Sequence, residues 1–311
     1  MATDAKNRWW VYLDERFPLV KNGLLIAVFA AAAVGYAAVL ARETPPPQLV
    51  SLPGAMLIAF LTLFLFFFQL RVADEFKDYA DDAQFRSYRP VPRGLVSLHE
   101  LGVLAIAAAV IQFGLAFSLG WGMVLLLALV WGYIWLMREE FFAPDWLKAH
   151  PVLYMLSHMV VMPLMALYAS ACFWLPAGLG LPATLGWFLL VSYCNGMVIE
   201  LGRKIRAPQD EETGVETYSA LWGRSNAVTV WLAVMGSLAI ASLLAAHTIQ
   251  FLPLVVLILL LLLTAAMIVS WRFLSNPITR WAKSFEWISG LSTLLVYTSL
   301  GILPLFLQHR L

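Results

Sequence analysis

Nine apolar runs constrain this chain more than anything else in it. They lie at 19–41, 51–70, 98–119, 121–137, 152–173, 184–201, 226–246, 249–271 and 284–307. A helix crossing a bilayer needs about 20 apolar residues, because no water is present to satisfy its backbone. The expectation is therefore an all-α integral membrane protein, with 1–311 forming one membrane domain. Composition agrees: 61% of residues are hydrophobic and only 13% charged, whereas soluble domains are about one quarter charged.

The connections set the topology. Runs three and four are joined by a turn at Gly120 and Gly122, and runs seven and eight by one at Thr248 and Gln250, with Pro253 in the next helix's first turn. Pro45, Pro46 and Pro47 form a stiff connection after the first run. That run follows Lys6, Arg8, Arg16 and Lys21 but is too long for a signal peptide, so it reads as an uncleaved first helix. Placing the N-terminus in the cytoplasm puts 18 of the 20 lysines and arginines on the inner side, leaving Arg42 and Arg310 outside. The positive-inside rule favours that orientation. It also gathers every long polar loop on one face.

The densest polar stretch on that face runs from 71 to 94. Asp74, Glu75, Asp78 and Asp82 fall within roughly one quadrant of a helix turning about 100° per residue, and Arg71 shares the arc. Clustered carboxylates repel one another and suit a hard divalent cation such as Mg²⁺. Arg86, Arg89 and Arg93 follow, with donors suited to phosphate oxygens. Together they point to a metal-bound diphosphate. The plain alternative is a solvated loop between membrane helices. Ser97 with Glu100 fits a capping box that opens the next run.

A second charged stretch closes run six. It contains Glu200, Arg203, Lys204, Asp210, Glu212, Gly214, Thr217 and Tyr218. Glu200 with Arg203 and Lys204 reads either as a local helix salt bridge or as a base pair for phosphate, with Asp210 and Glu212 near metal. In run five, Tyr154 and His158 stand one turn apart, and an ionisable residue inside a membrane helix is a functional candidate. Cys172 and Cys194 lack metal-ligand spacing and read as buried thiols. A net charge of +1 and the lack of any basic field leave no case for nucleic acid.

Asp74-Glu75-x-x-Asp78-x-x-x-Asp82 followed by Arg89-Pro90-x-Pro92-x-Gly94 resembles the first motif of the UbiA superfamily of intramembrane prenyltransferases. Lys21-Asn22 at the mouth of the first run and Gly214-x-x-Thr217 before the seventh are similar to further elements of that family. The resemblance covers nearly the whole chain. Two departures stand out. Asp74-Glu75 replaces Asn-Asp, and Glu200 with Arg203 stands where the family has Asp-x-x-Asp. A guanidinium is no Mg²⁺ ligand, which leaves the number of metals open.

The resemblance implies nine helices in a bundle around a central, lipid-open cavity. An isoprenyl diphosphate would meet Mg²⁺ at the cytoplasmic mouth, in a bacterial inner (cell) membrane, and an unidentified hydrophobic acceptor would take its isoprenyl group. It implies metal ligation by Asp74, Glu75, Asp78, Asp82, Asp210 and Glu212. Diphosphate contacts fall to Arg71, Arg89, Arg203, Lys204, Lys21 and Tyr218, and the catalytic set is Asp74, Asp78 and Arg203. Two other classes stay open: a membrane terpene cyclase acting on the diphosphate alone, and a transporter with acidic gates. Against the last, the acids cluster at one face rather than midway through the bilayer.

Overall fold

The computed structural model describes residues 7–42 and 51–307. Lys6, the three prolines at 45, 46 and 47, and Arg310 lie outside the described residues. Among those described, every regular element is helical, and nine helical stretches are long and apolar enough to cross a membrane. The chain is an integral membrane protein.

The first crossing is α2 (Leu19–Leu40), preceded by α1 (Arg8–Arg16). The hydropathy reading treated α1 as a tail, because it is short and amphipathic rather than apolar throughout. Asn7 caps it, accepting a bond from the Trp9 amide at 3.0 Å. It packs through buried Tyr12 into a small second core with Val72, Val91, Val96 and Leu101. Three ion pairs hold its polar side: Arg8 with Glu100, Glu15 with Arg93 at 2.8 Å, and Arg16 with Glu75.

The second crossing, α3 (Leu52–Lys77), extends seven residues beyond the expected apolar edge at 70. Asp74 and Glu75 therefore ride on its last turns, and a short α4 (Tyr79–Phe85) carries Asp82. Next come α5 (Leu98–Leu119) and α6 (Trp121–Arg138), joined at Gly120, whose φ of 112° only glycine adopts readily. The Ser97–Glu100 capping box is formed. Between α3, α5 and α6, buried Gln112 donates to the Thr62 carbonyl at 3.1 Å and accepts from the Trp131 indole at 3.0 Å. Such polar ties join membrane helices where burial of apolar surface gives little driving force.

After α6 and the short α7 (Pro144–Ala149), the fifth crossing is broken into α8 (Pro151–Met159) and α9 (Val161–Trp174). Pro163 explains the break: it has no N–H for the Met159 carbonyl, and its ring crowds that group. The sixth crossing, α10 (Leu185–Arg203), packs on α9 and on two later helices, α12 (Arg224–Thr248) and α14 (Thr279–Tyr297). Between those two lies α13 (Leu252–Ser275), reached through Gln250 in the left-handed region at φ 54°. The last crossing continues from α14 through a π-helical turn, Thr298–Ile302, into α15 (Leu303–Leu307).

At that π turn the last crossing meets α2 backbone to backbone. A Cβ on Gly35 would lie 2.1 Å from the Gly301 carbonyl oxygen, and one on Gly301 would lie 2.1 Å from that of Ala32. No side chain fits at either position. α3 packs on α9, and α10 packs on both α8 and α9, so the broken fifth crossing stands between the two helices that end in charged tracts. Cys172 and Cys194 are buried free thiols, as their apolar settings suggested.

Candidate functional site

Asp74 and Asp78 stand one turn apart where α3 ends. Asp74 is half-exposed, and Arg71 approaches it at 3.3 Å. Among the described residues Asp78 has no ion-pair partner. Burial, and then the neighbouring Asp74 and Asp82 carboxylates, push its pKa above the ordinary carboxylate value.

The other two acids of the stretch are committed elsewhere. Glu75 is buried against Arg16 of α1. Asp82 is buried between two guanidiniums, Arg86 at 2.9 Å and Arg89 at 2.6 Å. Both acids were expected to ligate metal and Arg89 to bind phosphate; in this structure Asp82 and Arg89 pair with each other and fasten the polar loop to α4. Helical spacing places four acids on one arc, but it is blind to the cations that other elements bring to them.

On the second tract, Glu200 receives both Arg203, at 2.7 Å, and Lys204, at 2.9 Å. The local salt bridge is therefore made, and its charge is +1. Gly202 fixes where it stands: a Cβ there would lie 2.2 Å from Ser289 Oγ and 3.0 Å from the Phe285 carbonyl, so α10 lies directly on α14. Lys204 accepts a backbone bond from Tyr218 at 3.1 Å, and its ammonium lies 5.4 Å from that ring. Tyr218 opens the short α11 (Tyr218–Trp222), capped by Thr217. Burial, and secondarily Glu200, raise its phenol pKa.

The remaining expected residues take other partners. Asp210 accepts from Thr279 at 2.8 Å, Glu211 accepts from Thr217, and Glu212 is exposed. Lys21 is largely exposed and pairs with Glu286 of α14 at 2.8 Å.

The two tracts meet. The Phe85 ring of α4 covers Gly214 in the second loop, where a Cβ would lie 2.6 Å from Phe85 Cγ. Asp74 and Asp82 flank Asp78, Glu200 and Arg203 flank Tyr218, and Lys77 at the end of α3 reaches the Tyr154 hydroxyl. Tyr154 is supplied by α8, which the Pro163 break sets apart from α9.

Lys77 and Glu140 form a pair that sequence reading missed. Lys77 of α3 bonds to the Tyr154 hydroxyl and to Glu140 at 2.7 Å. Tyr154 stacks on His158 with centroids 4.0 Å apart. Glu140 begins a left-handed turn of three non-glycine residues, Glu140, Phe141 and Phe142, with φ of 47°, 52° and 58°. Such a turn costs about 1–2 kcal/mol per residue. No periodicity signals it. The one hint was the acid itself, left at a membrane helix end beside an unassigned lysine.

Mg²⁺ is commonly held by one or two carboxylates, with water and substrate phosphate completing its shell. Asp78, without a cationic partner and with Asp74 beside it, fits that role. No group of three or more His, Cys, Asp or Glu side chains converges among the described residues. On the second tract Glu200, Asp210 and Glu211 are already engaged. Asp74 and Asp78 thus offer an ion two neighbouring carboxylates at the first tract, whereas on the second only the exposed Glu212 lacks a partner among these acids.

No family model matches the sequence, and no curated protein does. Solved structures do match its fold. A UbiA homolog from Aeropyrum pernix in its apo form aligns with a TM-score of 0.66 at 16% identity, covering 88% of this chain and 96% of that one. Digeranylgeranylglyceryl phosphate synthase aligns at 0.61 and 12% identity, covering 94% and 98%. A UbiA homolog from Archaeoglobus fulgidus bound to DMAPP and Mg²⁺ aligns at 0.52 and 16% identity, covering 94% and 99%. This chain is an all-α membrane protein of UbiA-like fold, matched over nearly its whole length at low identity.

Proposed function

We propose that this chain is a divergent UbiA-type enzyme that transfers an isoprenyl group from an isoprenyl diphosphate to a lipophilic or aromatic acceptor within the membrane, with Mg²⁺. The carrying observation is that the two charged tracts come together through the Phe85–Gly214 contact, one with Asp78 lacking an ion-pair partner among the described residues and the other with a base pair of surplus positive charge. The homologs of like fold include one bound to DMAPP and Mg²⁺ and one bound to GPP and Mg²⁺, which supports the reading. So does the distribution of lysine and arginine, which favours a cytoplasmic mouth.

Breaking an allylic carbon–oxygen bond leaves negative charge on diphosphate and positive charge on carbon. Asp74 and Asp78 would hold Mg²⁺, which when bound supplies charge neutralisation for the leaving group. Arg203 and Lys204 donate to the other side of the diphosphate, and Arg71 stands beside Asp74 as a further donor. Preorganised donors are most effective where water is scarce. The last turn of α10 is preorganised in this sense, because Gly202 seats it on α14 and Tyr218 holds Lys204. Enclosure by apolar helices protects the allylic cation from water until the acceptor attacks.

Membranes containing the protein, incubated with labelled geranyl, farnesyl and geranylgeranyl diphosphates, test the proposal. Mg²⁺-dependent transfer of label to an added lipophilic or aromatic acceptor is expected with at least one chain length. Diphosphate release without any acceptor would favour cyclisation or hydrolysis. Inertness toward all three substrates would move the chain out of this enzyme class.

A further inference from the structure

We infer that the headgroup site takes a single divalent cation, on the Asp74–Asp78 side, and that the Arg203–Lys204 pair neutralises the opposite side in place of a second ion. This rests on the proposed function and specifies its electrostatics.

Three observations carry it. First, Glu200, the acid in the last turn of α10, already receives both Arg203 and Lys204. An ion arriving there would find one compensated carboxylate and two fixed positive charges. Second, those charges are anchored. Gly202 leaves no space between α10 and α14, and Tyr218 holds Lys204 through its backbone and ring. Third, Phe85 of α4 lies on Gly214, which brings the loop that follows Arg203 and Lys204 against the end of the acidic tract. A guanidinium offers a planar fork of donors that matches phosphate oxygens, so it can both neutralise and orient one of the two phosphates.

The structure thus distributes charge asymmetrically, with Asp78 unpaired among the described residues at the end of α3 and a built-in cation pair at the end of α10. The ion on α3 would be shared between protein and substrate, entering or tightening with the diphosphate. The cation pair is permanent and independent of metal supply.

The test counts ions. The full chain in detergent is titrated with Mn²⁺, read by electron paramagnetic resonance, in the presence of unreactive thiolo analogues of geranyl, farnesyl and geranylgeranyl diphosphate. One Mn²⁺ per chain is expected, bound together with the analogue. Two per chain would overturn this inference while leaving the proposed function standing. Failure of every analogue to bind would overturn both. Asp78→Asn is expected to abolish the bound Mn²⁺, and retention of the ion would refute its placement. Arg203→Gln is expected to keep the count at one while weakening analogue affinity by about tenfold or more, the usual loss for a charge-assisted hydrogen bond. Lys204→Gln, checked alongside for a monodisperse fold, gives the same readout should Arg203→Gln fail to fold. Unchanged affinity in the folded variants would return both residues to a purely structural salt bridge.

Discussion

Phe85 lies directly over Gly214, closing the gap between two polar loops that are more than a hundred residues apart in the chain. Gly214 has φ 76°, and its missing side chain is the space that the Phe85 ring fills. The contact brings the end of α4, which follows the acidic tract, to the loop that follows α10 and its basic pair.

Gly214→Ala should therefore incur two costs, a strained backbone and a clash. Gly94→Ala is the matched control, because Gly94 also has φ 76° but nothing within 4 Å of its Cβ position. Backbone strain alone costs about 1–2 kcal/mol. Thermal unfolding in detergent should find Gly214→Ala the more destabilised of the two, with Phe85→Ala relieving part of the difference in a double-mutant cycle. Equal losses at both glycines would show that the ring contact is incidental.

Asp82 and Asp78 should respond in opposite ways to removal of their charge. Asp82→Ala strands two partly buried guanidiniums, a change that costs about 3–5 kcal/mol when a buried pair is broken. Asp78→Asn removes a buried charge that has no partner, so it should unfold at the same temperature or higher in metal-free buffer. Any loss of turnover in Asp82→Ala would then track stability, whereas loss in Asp78→Asn would not.

A pH dependence follows from the same residue. The folded pKa of Asp78 lies above its unfolded value because of burial, Asp74 and Asp82. Its contribution to stability is thus fully present below the ordinary carboxylate pKa and is lost as pH rises through the raised folded value. The difference in unfolding temperature between wild type and Asp78→Asn, measured without divalent ions, should be small in acid and should shift in favour of the variant as pH rises. A difference independent of pH would refute the assignment.

Glu140→Gln should loosen the left-handed turn. The ion pair with Lys77 is partly buried, and its loss should cost about 1–3 kcal/mol. Hydrogen exchange should quicken over 139–143, with little change in α5. Unaltered exchange there would mean that ring packing of Phe141 on Tyr133 and His158 suffices to hold the turn.

How much was legible in the sequence varied by scale. The nine crossings, their short turns, the Ser97 cap and the two charged tracts follow from hydropathy and local chemistry, which depend on neighbours a few residues away. α1 escaped notice because a nine-residue amphipathic helix has no membrane-length signal. Among the expected site residues, Asp78 has no ion-pair partner among the described residues, while Glu75, Asp82 and Lys21 engage Arg16, two arginines and Glu286.

The amino-acid sequence by itself determined that this chain crosses a membrane as helices and carries acid and base in two separate tracts, because apolar run length and residue type are local properties. Only the tertiary structure decided which charges are spent on one another and which stand without an ion-pair partner among the described residues. Ion pairing depends on separations of a few ångströms between elements far apart in the chain. Those separations are set by close packing at Gly35, Gly202 and Gly214, where a backbone carbonyl, a serine hydroxyl or a ring occupies the space a side chain would need.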